Sequence, residues 1–349
     1  MEKKKVVVCS VKTPYMSGGA EVLTENLITN LDRRGFDVEL VNLPFKWYPN
    51  QRLITEGLIW NMVDLSEANG KKIDLVIPLK FPSYFVKHEN KVTWLMHQHR
   101  PIYDLYGTKY SDFDPANGFH RKIRDELIRL DGEALLESKK IYSISQNVSN
   151  RLKKFNGIDS VPIYHPPKNV GKYYCEESQN YILSVGRLDP LKRVDILIKS
   201  LKFCDKNVKA IIAGTGIMED ELRKLAEKEG VANRVEFVGF VTEEQLLKLY
   251  AEALAIVFPP VDEDYGYITL ESFFSKKPVL TAKDSGGSLE FISDGQSGFA
   301  CNSVEEFGEK IDWLYKHKQE AKEMGVEGYK SIKDISWDNL IDRLTESIR

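Results

Sequence analysis

The sequence predicts an α/β chain of two doubly wound halves, each on a parallel sheet, with the sheets facing a central cleft. Three observations carry this. Short β-branched runs alternate with helix-periodic segments, the pattern of a parallel sheet covered by helices. The alternation breaks once, in a polar, proline-containing stretch at about 165–180, and then restarts. The 349 residues also exceed what a single core usually holds, about 250–300. Open α/β sheets bind ligands outside the carboxyl ends of their strands. Two such edges facing one another suit a reaction of two substrates.

The elements follow in order. KKVVVCSV (4–11) reads as a strand buried on both faces. After the loop TPYMSGGAE, the stripe Val22, Leu23, Leu27, Ile28 and Leu31 predicts a helix closed by Gly35. FDVELVNL, IDLVIPL and KVTWLMH are strands, 120–140 is a helix, IYSISQ a strand and NVSNRLKKF a helix. Beyond the linker, strands NYILSVGRL, KAIIAGTG, RVEFVGFV, LAIVFPP and PVLTA alternate with helices at 194–204, 218–230, 243–253 and 268–277. The tail from 303 to 349 is helical. The halves are Rossmann-like, the first domain spanning 1–168 and the second 169–332.

Composition narrows the function. Apolar residues make up 42% and charged residues 29%, ordinary for a globular protein. A net charge of −3 gives no basis for nucleic acid as a partner. Four cysteines, at 9, 175, 204 and 301, form no CxxC group, which fits a reducing cytoplasm and argues against a zinc site. No apolar run approaches the about 20 residues of a membrane span, and the first residues lack the apolar core of a signal peptide.

The chemistry gathers in EDYGYITLES (263–272), just after the strand LAIVFPP. Glu263 stands at the strand exit and Glu271 on the following helix, which starts at Gly266, Tyr267 and Ile268. A helix start favours phosphate, and the acids accept hydroxyls. The bland alternative is a helix-capping acid and a solvated one. Arg187 and Lys192, in SVGRLDPLKR, stand at another strand-to-helix turn, where a guanidinium fork and an ammonium suit a diphosphate. Gly214 and Gly216 end a third strand, and Gly286, Gly287 and Glu290 follow a fourth. His97, His99 and Arg100 share one loop. Two histidines two apart suggest a metal, but no carboxylate cluster supports it, and DFD at 112–114 is a common chance match. The reading is of no metal and no cofactor. A buried hydrogen-bonded histidine is the plain alternative for His97, and a first-turn helix acid is the default for Glu21.

GRLDPLKR, AGTG, VEFVGFV, the E-x7-E of EDYGYITLE and GGSLEFISDGQSGF occur in an order that resembles the family 4 retaining glycosyltransferases, of the GT-B fold. The resemblance covers about 181–299. It is looser in the first half, through SGGAE (17–21) and the strand ending at His97. ISWDNLIDRL is similar to the family's last helix, which implies that 333–349 packs back on the first domain. The resemblance implies that Arg187 and Lys192 hold a donor diphosphate and that Glu263 meets the transferred sugar. It implies that Glu271 binds ribose and that Gly18, Gly19, Gly214 and Gly266 to Ile268 line the donor. It places His97 near the donor sugar, with His99 and Arg100 as acceptor contacts. Asp264 and Tyr265 stand where the family often has proline and phenylalanine, and HPP (165–167) where many members have asparagine and glycine.

The expected partners are a nucleoside-diphosphate sugar and a glycan or lipid-linked acceptor of surface polysaccharide synthesis. Arg121, Lys122, Arg124 and Arg129 would meet an anionic membrane surface, or form a solvated helix face. The expected location is cytoplasmic, at the inner membrane face if attached. Competing readings are a nucleotide-sugar epimerase of the same fold and an NAD-dependent oxidoreductase. The second lacks its third glycine, where Glu219 stands.

Overall fold

The computed structural model describes residues 3–15 and 18–349, so Ser17 of the SGGAE segment lies outside the described residues. The chain forms two compact units, Met1–Lys168 with Ile335–Arg349, and Asn169–Asp334.

The first unit opens with β1 (Lys5–Lys12), α1 (Gly19–Arg33), β2 (Asp37–Pro44) and α2 (Arg52–Asn61). A hairpin, β3 (Glu67–Ala68) and β4 (Lys71–Lys72), leads to β5 (Leu75–Pro78) and β6 (Val92–Leu95). Then come α3 (Gly118–Leu136), β7 (Lys140–Ser143), α4 (Gln146–Asn156) and β8 (Val161–Pro162). The parallel strands run β2-β1-β5 and β6-β7-β8, and the bridges Val76–Lys91 and Lys80–His97 join the two sets. The order reverses between β1 and β5, which makes their carboxyl ends the switch point of this unit. Val6, Val7, Val8 and Cys9 are buried because β1 is central. The stripe Leu23, Leu27 and Leu31 of α1 is likewise buried.

The second unit holds β9 (Tyr181–Val185), α5 (Asp195–Ser200), β10 (Lys209–Ala213), α6 (Glu219–Lys228), β11 (Val235–Gly239) and α7 (Glu243–Glu252). It continues with β12 (Ala255–Val257), α8 (Tyr267–Phe274), β13 (Val279–Ala282), β14 (Gly298–Cys301), α9 (Val304–Lys316) and α10 (Lys318–Ile332). Its parallel sheet has the order β11-β10-β9-β12-β13-β14, with the switch point between β9 and β12. Ile182, Leu197, Ile212, Leu280, Phe307 and Ile311 belong to its core.

The chain then returns to the first unit as α11 (Trp337–Leu344), capped by Ser336. Arg34 pairs with Asp338 (2.7 Å) and Asp342, and Trp337 packs edge-on against Trp94 (6.2 Å). The helical tail is divided into α9, α10 and α11, with breaks at His317 and at 333–336.

Several elements depart from the sequence reading. Helix α2, unassigned in the sequence, buries Leu53 and Trp60 yet also exposes Leu58 and Ile59, so no clean stripe marks it. The β3–β4 hairpin turns on Asn69 and Gly70, both at positive φ, the Asn-Gly turn of tight hairpins. Helix α5 is short and passes into a 3-10 turn at Leu201–Phe203.

Candidate active site

All strands of the second sheet point the same way, so the loops after β9, β10, β12 and β13 gather on one edge. Lys192 follows β9 and Glu263 follows β12, and the two meet in an ion pair of 2.7 Å. Both are mostly covered, at 19% and 24% side-chain exposure, so the pair is held by its loops. Arg193, in a left-handed conformation (φ 49°), fastens those loops. It donates to the carbonyl oxygens of Pro259 (2.7 Å) and Pro260 (2.8 Å) and pairs with Asp284 after β13. The sequence reading gave the basic roles to Arg187 and Lys192 and passed over Arg193, although it stands in the same motif. Arg187 is well exposed, 3.9 Å from Asp189.

Gly266 caps α8 at φ 85°, so Tyr267 and Ile268 form the first turn that ends at this edge. First-turn N–H groups have no partner within their own helix, and the dipole there is positive. The turn is fixed from behind, since the Gly287 N–H donates to the Glu263 carbonyl oxygen (2.7 Å). Gly287 and Glu290 belong to a 3-10 turn after β13. Gly214 requires its identity. At φ 136°, a Cβ would lie 1.9 Å from the Gly186 carbonyl oxygen of the neighbouring loop. Gly216 makes a comparable close approach to Leu188.

Glu271 lies one turn into α8. Its Oε2 accepts the Tyr250 hydroxyl of α7 (2.8 Å), and Tyr173 also hydrogen-bonds to it. Burial raises its carboxyl from the usual range to about 7, against the lowering effect of these two hydroxyls. Neither tyrosine is visible as a partner in the sequence, because they stand 21 and 98 residues away.

In the first unit, Gly18 caps α1, Gly19 begins it and Glu21 lies in its first turn. Glu21 pairs with Lys80 (3.3 Å), a residue the sequence reading left out, which bridges to His97. Gly18, Glu21, Lys80 and His97 thus collect at the carboxyl ends of β1, β5 and β6. His97 is half-buried, with Nδ1 2.9 Å from the Gln98 carbonyl oxygen. His99 packs among Phe81 and Phe113, and burial lowers it to about 3, so its ring is neutral near pH 7. Arg100 holds Asp104 through two bonds (2.8 and 2.6 Å). Of the basic residues on α3, Arg121 donates to the Pro115 carbonyl oxygen and Arg124 to that of Ile102. Arg129 pairs with Glu126 and Glu133. Among the described residues no group of three or more His, Cys, Asp or Glu could hold a metal, and no helix is long and apolar enough to cross a membrane.

This architecture is that of the GT-B class. The chain is similar to sucrose-phosphate synthase from Thermosynechococcus elongatus, with a TM-score of 0.77 and 14% identity over 98% of each chain. It is also similar to Alr3699/HepE from Anabaena, solved with UDP and glucose, with a TM-score of 0.70 and 16% identity over 98% of this chain and 99% of that one. Residues 168–331, nearly the whole of the second unit, match the family Glycosyl transferases group 1. An uncharacterized glycosyltransferase from Methanocaldococcus jannaschii is 31% identical over 47% of this chain and 43% of its own length. The alpha-1,3/1,6-mannosyltransferase ALG2 of Dictyostelium discoideum is 26% identical over 55% of this chain and 50% of its own. The chain spans about half the length of the curated relatives it matches.

Proposed function

We propose that the protein transfers a sugar from a nucleoside-diphosphate sugar to a glycan or lipid-linked acceptor, with retention and without a metal, in surface polysaccharide synthesis. The observation that carries this reading is the Lys192–Glu263 pair beside the first turn of α8, on one sheet edge. There a cation and a helix start meet the diphosphate, and an acid meets the sugar.

In this reading Arg187 and Lys192 hold the diphosphate. Glu263 accepts sugar hydroxyls, and Glu271 accepts those of ribose. The glycines Gly18, Gly19, Gly214 and Gly266 let backbone approach the donor. His97 stands near the sugar, and His99 and Arg100 shape the acceptor side. The bond from the anomeric carbon to the diphosphate oxygen breaks and a bond to the acceptor oxygen forms on the same face. The leaving diphosphate takes the acceptor's proton. Charge grows on that diphosphate, so donors fixed in advance supply the main stabilisation, about 2.7–4 kcal/mol for each one lost. The relatives' names support the class: HepE was solved with UDP and glucose, and ALG2 is named a mannosyltransferase.

The test is release of nucleoside diphosphate from a panel of nucleotide sugars, with lipid-linked and soluble glycan acceptors. Glu263→Ala is expected to abolish release while leaving nucleoside diphosphate affinity within about twofold, a free-energy change below 1 kcal/mol. Full turnover in this variant overturns its role.

A further inference from the structure

The second unit contains a cavity of about 640 Å³ lined in part by Leu254 and Pro278. These residues immediately precede β12 and β13, so the cavity lies at the amino edge of the sheet, opposite the candidate active site. Its volume is within the about 300–1,000 Å³ usual for small-molecule sites. Lys276, Lys277, Lys318 and Lys322 line it, against the two acids Glu176 and Glu177.

None of the four lysines forms an ion pair among the described residues. Lys277 is only 4% exposed, and its ammonium donates to a neutral acceptor, the Glu176 carbonyl oxygen (3.0 Å). Lys318 donates to the Asn180 side-chain oxygen (2.7 Å), and Lys276 lies over the Tyr329 ring (5.4 Å). Burial lowers the Lys277 pKa, and Cys175, which hydrogen-bonds to it, and Glu176 offset only part of that cost. Lys318 is also the first residue of α10, a helix of 15 residues. The capping residue His317 turns its ring to the Trp313 carbonyl oxygen (2.8 Å) and leaves the helix start uncapped by a side chain. The positive end of α10 therefore adds to the field of the lysines. The wall is closely packed: α10 lies against the 276–277 turn at Gly325, where a Cβ would lie 2.0 Å from the Lys276 carbonyl oxygen.

We propose that this cavity binds a small molecule bearing a phosphate or diphosphate group, at a site separate from the candidate active site. Lysines grip such a group as point charges, and the buried Lys277, which forms no ion pair among the described residues, gains a direct anionic partner. A soluble metabolite and a lipid headgroup share this chemistry.

The experiment is calorimetric titration of the full chain with inorganic pyrophosphate, with flotation on phosphatidylglycerol and phosphatidylcholine vesicles as a second arm. The surface variant K318E/K322E is expected to weaken one class of pyrophosphate binding at least about tenfold, a change of 1.4 kcal/mol. The R187A/K192A variant keeps that class. Lys277→Met, checked by circular dichroism, is expected to lose it as well. Loss of phosphatidylglycerol binding in K318E/K322E, with no pyrophosphate effect, assigns the phosphate to a lipid. The proposal is overturned if K318E/K322E binds both probes as the parent does, or if the parent binds neither.

Discussion

Glu271 shows how one buried side chain carries both structure and proposed chemistry. Burial among Tyr250, Tyr173 and Tyr267 raises its carboxyl to about 7, and the Tyr250 and Tyr173 hydroxyls offset part of that rise. Between the ordinary carboxyl range and about pH 7, the folded protein holds this proton while the unfolded chain has lost it. Ionising it within the fold therefore costs stability, a cost absent near pH 4 and complete above pH 8. Glu271→Gln is expected to be more stable than the parent at pH 8, with the gain shrinking toward pH 5. Its nucleoside diphosphate affinity falls at both. Urea unfolding at the two pH values checks the first expectation, and equal gains at both would contradict it.

At the scale of elements, the parts legible in the sequence were those that announce themselves locally. Strands β1, β9 and β12 are β-branched or apolar runs because both of their faces are covered. The placement of Arg187, Lys192 and Glu263 at the carboxyl edge of the sheet was legible because each follows such a strand. Helix α2 and the two-residue strands β3, β4 and β8 were not, since they carry no clean period. Lys80, Arg193, Tyr173 and Tyr250 were hidden for a different reason. Each acts on a residue brought to it by another loop or helix, and sequence distance conceals that. The loop after β10 offers a direct test of how the site edge is built. Gly214→Ala drives a Cβ into the Gly186 carbonyl and is expected to cost about 1–3 kcal/mol and to weaken nucleotide binding. Gly230→Ala, also at positive φ but with nothing within 4 Å of its Cβ, is expected to cost only about 1 kcal/mol. Thermal unfolding compares them; equal losses would mean that the close approach is not what Gly214 secures.

At the scale of the molecule, the buried titratable groups predict different responses to acid in the two units. His99 and His165 are buried in the first unit and each is lowered to about 3. From about pH 6.5 downward the unfolded chain protonates them and the fold does not, so their burial costs stability as pH falls. Asp131, raised to about 7 by burial, works the other way in the same unit, but it is one group against two. The second unit has Glu271, which favours mild acid. Lowering the pH from 7.5 to 5.5 is therefore expected to weaken the first unit relative to the second. Tryptophans 47, 60, 94 and 337 report on the first unit and Trp313 on the second. Fluorescence-detected melting of a variant keeping only Trp313, beside one lacking it, measures the two. A second unit that loses more than the first contradicts the assignment of these buried groups.

The central claim is that the edge formed after β9 and β12 binds a nucleoside diphosphate. Thermal unfolding of the chain with UDP, GDP, ADP, TDP and NAD at matched concentration tests it most directly. A ligand at about 100 times its dissociation constant adds about 2.7 kcal/mol, a clear shift. The account predicts that one nucleoside diphosphate gives a larger shift than the others and than NAD, and that R187A/K192A removes this excess, leaving only any shift common to all the diphosphates. A shift with NAD alone would contradict it.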